Sequence, residues 1–225
     1  MGKLRFLFAL WMAKLSVPAL KITRHNGTDF PGTLALKLCP DFLKYVGRPK
    51  TIIAVTGTNG KTTVSNLLAD TLEKEGHRVL INRAGSNVAS GIATALLKGC
   101  DLAGRVKNYD MAVLEVDERS SVRVYPYITP DYIAVTNLFR DSIMRNAHAE
   151  FIADIISRSV PASSRLVLNA DDLISCGLAP ENERVYFGID RLPTDTVECV
   201  NHINDVRICP KCAGNCLLYT SPSPR

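Results

Sequence analysis

Short apolar runs alternate along the chain with stretches whose apolar positions recur at helical spacing. Runs of five or six residues rich in β-branched side chains predict strands at 51–56, 78–82, 111–116, 132–136, 165–169 and 184–188. Between them, 62–76, 87–99 and 149–160 predict helices. Since continuous apolar strands separated by helices are typical of a parallel sheet covered on both faces, the pattern predicts an α/β domain of this kind.

The first 48 residues follow a different pattern. Lys3 and Arg5 precede an apolar stretch that resembles a signal peptide, but Lys14 interrupts it and no small-x-small cleavage site follows closely. The stretch is shorter than the roughly 18 apolar residues that span a bilayer. It predicts an amphipathic helix that packs on the protein or rests on a membrane surface. Because "NGTDFPG" is a cluster of turn formers, residues 21–50 are predicted to be loop-like.

The composition narrows the class of protein. Of 225 residues, 46% are apolar and 22% are charged, which fits a globular protein. The net charge of +5 comes without a stripe of interleaved basic and aromatic residues, so no nucleic-acid partner is predicted. The seven cysteines show no regular framework, which argues against a disulfide scaffold and favours a reduced, cytoplasmic compartment.

A glycine-rich stretch, "VTGTNGKTT" at 55–63, joins the first predicted strand to its helix. Ligands of open parallel sheets bind beyond the carboxyl ends of the strands, and glycines let the backbone approach a phosphate closely. The lysine supplies a charge for the outer phosphates, and the next threonine offers a hydroxyl to Mg²⁺. The sequence therefore predicts phosphate binding by the loop residues Gly57, Thr58, Asn59, Gly60, Lys61, Thr62 and Thr63.

This loop departs from the general P-loop motif, which has a glycine where this chain has Val55. The alternative interpretation is a tight strand–helix turn that carries a lysine by chance. Because a strand precedes the loop and a helix follows it, the arrangement favours phosphate binding. We therefore predict that the parallel sheet is of the P-loop type.

Carboxylates at the end of another predicted strand complete the expected site. In "LEVDE" (114–118), Glu115 and Asp117 project to the same face of the strand, whereas Glu118 lies in the following loop. A carboxylate there would hold a metal or polarise a water molecule; the alternative is a group of solvated acids. Together with the Thr62 hydroxyl, such a carboxylate would complete a magnesium site.

Five motifs in register resemble the Mur ligase family, and its MurT branch most closely. The resemblance extends from about residue 20 to 212. It implies that loop residues 57–63 bind ATP, and it adds Asn137 to the expected ATP contacts. The motifs are "VTGTNGKTT" (55–63), "NRAGSNVASGIATALL" (82–97), "AVLEVDE" (112–118), "TNLFRD" (136–141) and "LVLNADD" (166–172).

The resemblance implies an ATP-dependent carbon–nitrogen ligase, the synthetase subunit of lipid II isoglutaminyl synthase. It also implies that Thr62 and Glu115 hold Mg²⁺ and that Lys61 and Glu115 are catalytic. Such an enzyme amidates the glutamate α-carboxyl of the peptidoglycan stem peptide through an acyl phosphate. A glutaminase partner of the GatD type supplies ammonia, and this chain itself shows no recognisable Cys-His-acid triad. The implied location is cytoplasmic, with peripheral association at the inner face of the membrane as an open option.

Substrate contacts are expected in two of the motifs. Arg83 and Asn87 follow a strand and face the expected cleft, although Asn87 has an alternative role as the cap of the next helix. Arg140 and Asp141 are the other candidates. Ser142 stands where many Mur ligases carry a histidine near a second metal, which puts that metal in doubt, and nearby His148 is interpreted as a surface residue.

The resemblance divides the chain into domains. Residues 1–48 form an N-terminal segment, 49–198 the ATP-binding domain (the Mur ligase central domain), and 199–216 the start of a zinc-ribbon insertion. Cys209 and Cys212 are the expected zinc ligands because CxxC lets two thiolates reach one tetrahedral ion, with Cys216 as a third candidate. A redox pair is the alternative, but no thioredoxin-like unit surrounds it.

The sequence is expected to be C-terminally truncated. Residues 217–225 are Ser/Pro-rich and are expected to be non-native or disordered. The resemblance implies a C-terminal ligase domain that this sequence lacks, so we expect weak nucleotide binding and incomplete catalysis. Two other functions stay open: a Mur-type ligase that adds an amino acid or a folate glutamate, and a P-loop scaffold or regulatory protein with a zinc ribbon.

Overall fold

A computed structural model describes residues 2–22, 29–82, 86–138 and 149–189. The helices are α1 (Gly2–Ile22), α2 (Phe30–Leu38), α3 (Phe42–Tyr45), α4 (Lys61–Lys74), α5 (Ala89–Gly99), α6 (Ser121–Val124), α7 (Ala149–Ser159) and α8 (Leu173–Cys176). The strands are β1 (Thr51–Thr56), β2 (Val79–Ile81), β3 (Met111–Glu115), β4 (Tyr132–Val135), β5 (Arg165–Asn169) and β6 (Arg184–Phe187). All six predicted strands and all three predicted helices are present, with ends that shift by one or two residues.

The strands form one parallel sheet in the order β2-β3-β1-β4-β5-β6. In the centre, Val55 of β1 is in register with Glu115 of β3 on one side and with Ala134 of β4 on the other. The loops that follow β1, β3 and β4 therefore start side by side at one edge of the sheet. The predicted α/β fold with a parallel sheet is confirmed.

Alternating residues of the strands face two different helical layers. Val55 and Val113 pack with Ala69 of α4 on one face. Ile52 and Ala54 lie on the other face, in the larger core that includes residues of α1, α2, α5 and α7. Helices therefore cover both faces, as the sequence predicts.

Helix α1 packs on the domain. Phe6 and Leu10 are buried in the larger core, and the Phe6 ring lies 5.2 Å from the ring of Phe42. Lys14 donates from Nζ to the carbonyls of Leu97 and Cys100 at 2.7 and 2.8 Å, and thereby caps the C-terminal end of α5. None of the helices in the described part of the chain is long and apolar enough to cross a bilayer.

The prediction of a loop over residues 21–50 is wrong where the structure describes this segment. It contains α2 and α3, because the Pro and Gly interpreted as turn formers instead begin a helix. Pro31 lies in the first turn of α2, where its missing N–H costs no hydrogen bond. A β-carbon on Gly32 would stand 1.8 Å from the Ser90 carbonyl oxygen, so glycine is needed for the close contact between α2 and α5.

Several predicted features lie outside the described residues. These are the zinc ligands Cys209 and Cys212, the third candidate Cys216, the domain boundary at 198–199 and the tail at 217–225. They stay predictions.

Candidate functional site

The glycine loop leaves β1 at Thr56 and enters α4 at Lys61. Gly57 and Gly60 adopt φ angles of +127° and +80°, values that L side chains adopt at a cost. Gly60 is the N-cap residue of α4 and no side chain caps that end. The first N–H groups of α4, a helix of 14 residues, are therefore not capped by a side chain and point away from the end of the sheet. Helix N-termini bind phosphate in this way in nucleotide sites.

The residues after β4 hold this loop in place. Thr58 N–H donates to the Asn137 carbonyl at 2.7 Å, and Asn59 N–H donates to Asn137 Oδ1 at 3.0 Å. The Thr136 hydroxyl donates to the Asn59 carbonyl at 2.7 Å. Asn137, an expected ATP contact, therefore also fixes the loop conformation.

Lys61, the lysine expected to contact phosphate, is surrounded by oxygen atoms. Its Nζ donates to the carbonyls of Gly57 and Thr58 and lies 3.1 Å from Oε1 of Glu118. Both members of this ion pair are largely shielded from solvent, with side-chain exposures of 12% for Lys61 and 5% for Glu118. Thr62 and Thr63 follow on the exposed surface of the first helical turn.

Glu118 belongs to the site although the sequence places it in a loop. Burial raises the pKa of Glu118 above its ordinary value, and the charge of Lys61 opposes that rise. The turn around it is well connected, because Asp117 Oδ1 accepts from the N–H groups of Arg119 and Ser120. Asp117 thus shapes the turn, and Glu118 faces the lysine.

Glu115 ends β3 in a buried position with both backbone groups paired. Asn82, which follows β2, accepts from Glu115 N–H and donates to its carbonyl, both at 2.8 Å. Asn87 donates from Nδ2 to Glu115 Oε1 at 3.2 Å. The alternative role of Asn87 as helix cap is wrong, since the N-cap residue of α5 is Val88 and the helix has no side-chain cap.

The predicted Mg²⁺ ligands fit the ion in their chemistry. The Thr62 hydroxyl and the Glu115 carboxylate are hard oxygen donors, and Mg²⁺ commonly takes one or two such groups together with phosphate oxygens. Three or more His, Cys, Asp or Glu residues do not converge on a metal site anywhere in the described segments.

The loop after β5 supports the same edge of the sheet. Asp172 is buried and accepts from Leu138 N–H at 2.6 Å, from Ile174 N–H at 3.1 Å and from the Ser175 hydroxyl. Asn169 donates from Nδ2 to the Thr136 carbonyl at 2.8 Å. The strand-end loops of β1, β4 and β5 are thereby joined by hydrogen bonds.

Sequence reasoning assigned no role to the residues that make these cross-loop bonds, Asn82, Thr136, Asn169 and Asp172. Their position at the ends of apolar strands, within the motifs that resemble the Mur ligases, was a signal that could have found them. Of the predicted site residues, Arg83, Arg140 and Asp141 lie outside the described residues, as do Ser142 and His148. Residues 57–63, Glu115, Asn87 and Asn137 meet at the same sheet edge.

Comparison with known proteins gives one consistent assignment. Residues 55–196 match the family described as the Mur ligase middle domain. A protein named lipid II isoglutaminyl synthase (glutamine-hydrolyzing) subunit MurT, from Staphylococcus aureus (strain COL), is 33% identical over 94% of this chain and 47% of its own length. A UDP-N-acetylmuramoylalanine--D-glutamate ligase from Leuconostoc citreum (strain KM20) is 31% identical over 53% of this chain and 25% of its own length.

A solved structure agrees with this assignment. A pseudomurein peptide ligase type C from Methanothermus fervidus matches with a TM-score of 0.52 and 27% identity, over 78% of this chain and 34% of that one. The chain spans about half the length of the MurT relative.

Proposed function

The chain belongs to the Mur ligase family, and on that premise we propose that the full-length protein amidates lipid II in an ATP-dependent reaction. It acts as the synthetase subunit of a carbon–nitrogen ligase, on the glutamate α-carboxyl of the stem peptide. A glutaminase subunit of the GatD type supplies the ammonia. The observation that supports the proposal is the glycine loop with Lys61 beside the carboxylate of Glu118, in a chain similar to a MurT subunit.

The reaction has two steps. The glutamate carboxylate attacks the γ-phosphorus of ATP, which gives an acyl phosphate and ADP. Ammonia then attacks the acyl carbon, phosphate leaves, and a proton is lost from nitrogen. Mg²⁺ neutralises phosphate charge when it is bound. The work of the protein is positioning and charge stabilisation, as in other phosphoryl transfers.

Residues of this chain take defined parts in the reaction. The amides of the glycine loop and of the first turn of α4 bind phosphate oxygens, and Lys61 stabilises the charge that develops on them. Glu115 and Thr62 orient the metal. Asn87 keeps the Glu115 carboxylate in position through its hydrogen bond. Arg83, Arg140 and Asp141 stay proposed substrate contacts.

The remaining parts of the proposal concern the complete protein. A structural zinc ion bound by Cys209, Cys212 and further ligands remains a prediction from the family resemblance. Cytoplasmic location with contact to the inner membrane surface is also proposed, because lipid II is a membrane-anchored substrate.

A second candidate is a ligase that adds an amino acid. The likeness to the D-glutamate ligase of Leuconostoc citreum supports it. The two functions differ in the nucleophile, because the first uses ammonia and the second uses the amine of a free amino acid.

The test uses the full-length protein with its glutaminase subunit, lipid II, glutamine and MgATP. We expect ADP release that requires both lipid II and glutamine, and amidated lipid II detected by mass spectrometry. Ammonium chloride should replace glutamine and the glutaminase subunit. ADP release that requires a free amino acid, and that no ammonia source supports, would instead establish the second candidate.

A further inference from the structure

The ion pair between Lys61 and Glu118 leaves the lysine without a free donor. An ammonium group has three N–H donors, and three protein oxygens receive them, namely the carbonyls of Gly57 and Thr58 and Oε1 of Glu118. A phosphate oxygen can bind Nζ only after one of these contacts is broken. Of the three acceptors, Glu118 is the charged one, so its attraction to Lys61 is the main electrostatic force that opposes release of the lysine.

Release of Lys61 would leave Glu118 in an unfavourable position. Its side chain is 5% exposed, and a buried carboxylate that loses its cation requires another donor. A backbone hydrogen bond from the Glu118 N–H reaches this carboxylate, but a neutral amide does not replace the charge of Lys61, so a further donor would stabilise the freed carboxylate.

Tyr125 offers a suitable donor. Its ring is buried, and within the described segments its hydroxyl has no hydrogen-bond partner, which is uncommon for a buried polar group. Glu118 is close enough to raise the pKa of Tyr125, in addition to the larger effect of burial. The short helix α6 links the two residues, since Tyr125 N–H donates to the Ser121 carbonyl at 2.9 Å.

We propose that Glu118 and Tyr125 form a two-position switch for Lys61. In the nucleotide-free protein, Glu118 holds the lysine against the glycine loop. When phosphate draws Lys61 away, the Tyr125 hydroxyl donates to the Glu118 carboxylate and takes over the contact. Both are positioning residues that act through Lys61, and the inference rests on the proposed nucleotide site.

The switch predicts opposite effects of two substitutions on nucleotide affinity. Glu118→Gln weakens the resting contact of Lys61, so ADP should bind tighter. Tyr125→Phe removes the donor that stabilises Glu118 after release, so ADP should bind more weakly. Because each variant changes one hydrogen bond of a charged group, we expect the affinity to change about threefold to tenfold in each direction.

Isothermal titration calorimetry of the full-length protein with MgADP and a non-hydrolysable ATP analogue measures these affinities. The double variant is decisive, because without a carboxylate at 118 the Tyr125→Phe change should have no effect. Tyr127→Phe is the matched control, since the Tyr127 hydroxyl donates to Asp41. It should bind like the unchanged protein.

Each other outcome has a defined meaning. Unchanged or weaker binding by Glu118→Gln overturns the switch. Tighter binding by Glu118→Gln with no effect of Tyr125→Phe indicates plain repulsion between Glu118 and phosphate, which also overturns it. Equal affinity of Lys61→Ala and the unchanged protein overturns both the nucleotide site and the switch, whereas the outcomes above overturn the switch alone.

Discussion

A β-carbon added to Gly57 would stand 2.2 Å from Oγ1 of Thr136, so the end of β1 touches the end of β4. The same position has a φ of +127°. Two independent constraints therefore require glycine there. The contact also explains why the loop conformation depends on residues that follow a different strand.

We expect Gly57→Ala to destabilise the domain by about 1–3 kcal/mol and to abolish nucleotide binding, because it adds both a clash and a strained backbone. Gly60→Ala is the matched control, since its φ is +80° but nothing lies within 4 Å of an added β-carbon. Urea denaturation measures the two free energies of unfolding. Equal costs for both variants would show that the contact with Thr136 is unimportant.

Lys61→Ala should abolish ATP-dependent turnover of the full-length enzyme while the protein stays folded. The substitution also strips Glu118 of its cation, so we expect a lower free energy of unfolding at pH 7. Stability should recover in the Lys61→Ala/Glu118→Gln double variant, but turnover should not. ADP release and thermal denaturation measure the two effects, and unchanged turnover would contradict the assignment of the loop.

Asp172→Ala should destabilise the domain by about 2–4 kcal/mol, because a buried carboxylate with three donors is lost and those donors are left unpaired. Asp171→Ala is the control on the neighbouring residue, which is exposed. It should cost less than about 1 kcal/mol. A small effect at Asp172 would mean that water satisfies the freed donors.

Two leucines of α1 test whether this helix is part of the domain core. Leu10 is 0% exposed and Leu4 is 77% exposed. We expect Leu10→Ala to cost about 2–5 kcal/mol of stability and Leu4→Ala to cost within about 0.5 kcal/mol. Equal effects in chemical denaturation would indicate that α1 does not pack as described.

The ion pair between Arg78 and Asp110 should make stability depend on pH. Arg78 lowers the pKa of Asp110 to about 2, chiefly through side-chain hydrogen bonds. A carboxylate with a lowered folded-state pKa stabilises the protein above its unfolded pKa of about 3.9, and this contribution is lost as the pH falls to about 2. The stability difference between the unchanged protein and Asp110→Asn should therefore shrink over that range in urea titrations.

The sequence was sufficient to predict the sheet and the glycine loop. Buried strands of a parallel sheet appear in the sequence as continuous apolar runs, and each run can be recognised within its own short stretch of sequence. The helices α4, α5 and α7 repeat apolar residues at helical spacing, which is equally local. Prediction failed in α2, where Pro31 and Gly32 start a helix and allow contact with α5.

The partners of the site residues could not be predicted. Strand periodicity places Asp117 beside Glu115, but β3 ends at Glu115 and the chain turns, so Glu118 is the acid that meets Lys61. Lys61 and Glu118 are far apart in the sequence, and nothing local indicates such a contact. The same holds for Thr136, which bonds to the glycine loop across the sheet.

The central place of β1 has a consequence for biosynthesis. The two strands that pair with β1 begin at Met111 and Tyr132. During synthesis, β1 therefore leaves the ribosome long before either of them. At a synthesis rate of about 5–20 residues per second, several seconds pass before β1 can be paired on either side. A nascent chain must keep this apolar strand from aggregating during that interval, and the contacts between the glycine loop and the residues after β4 are among the last features to assemble.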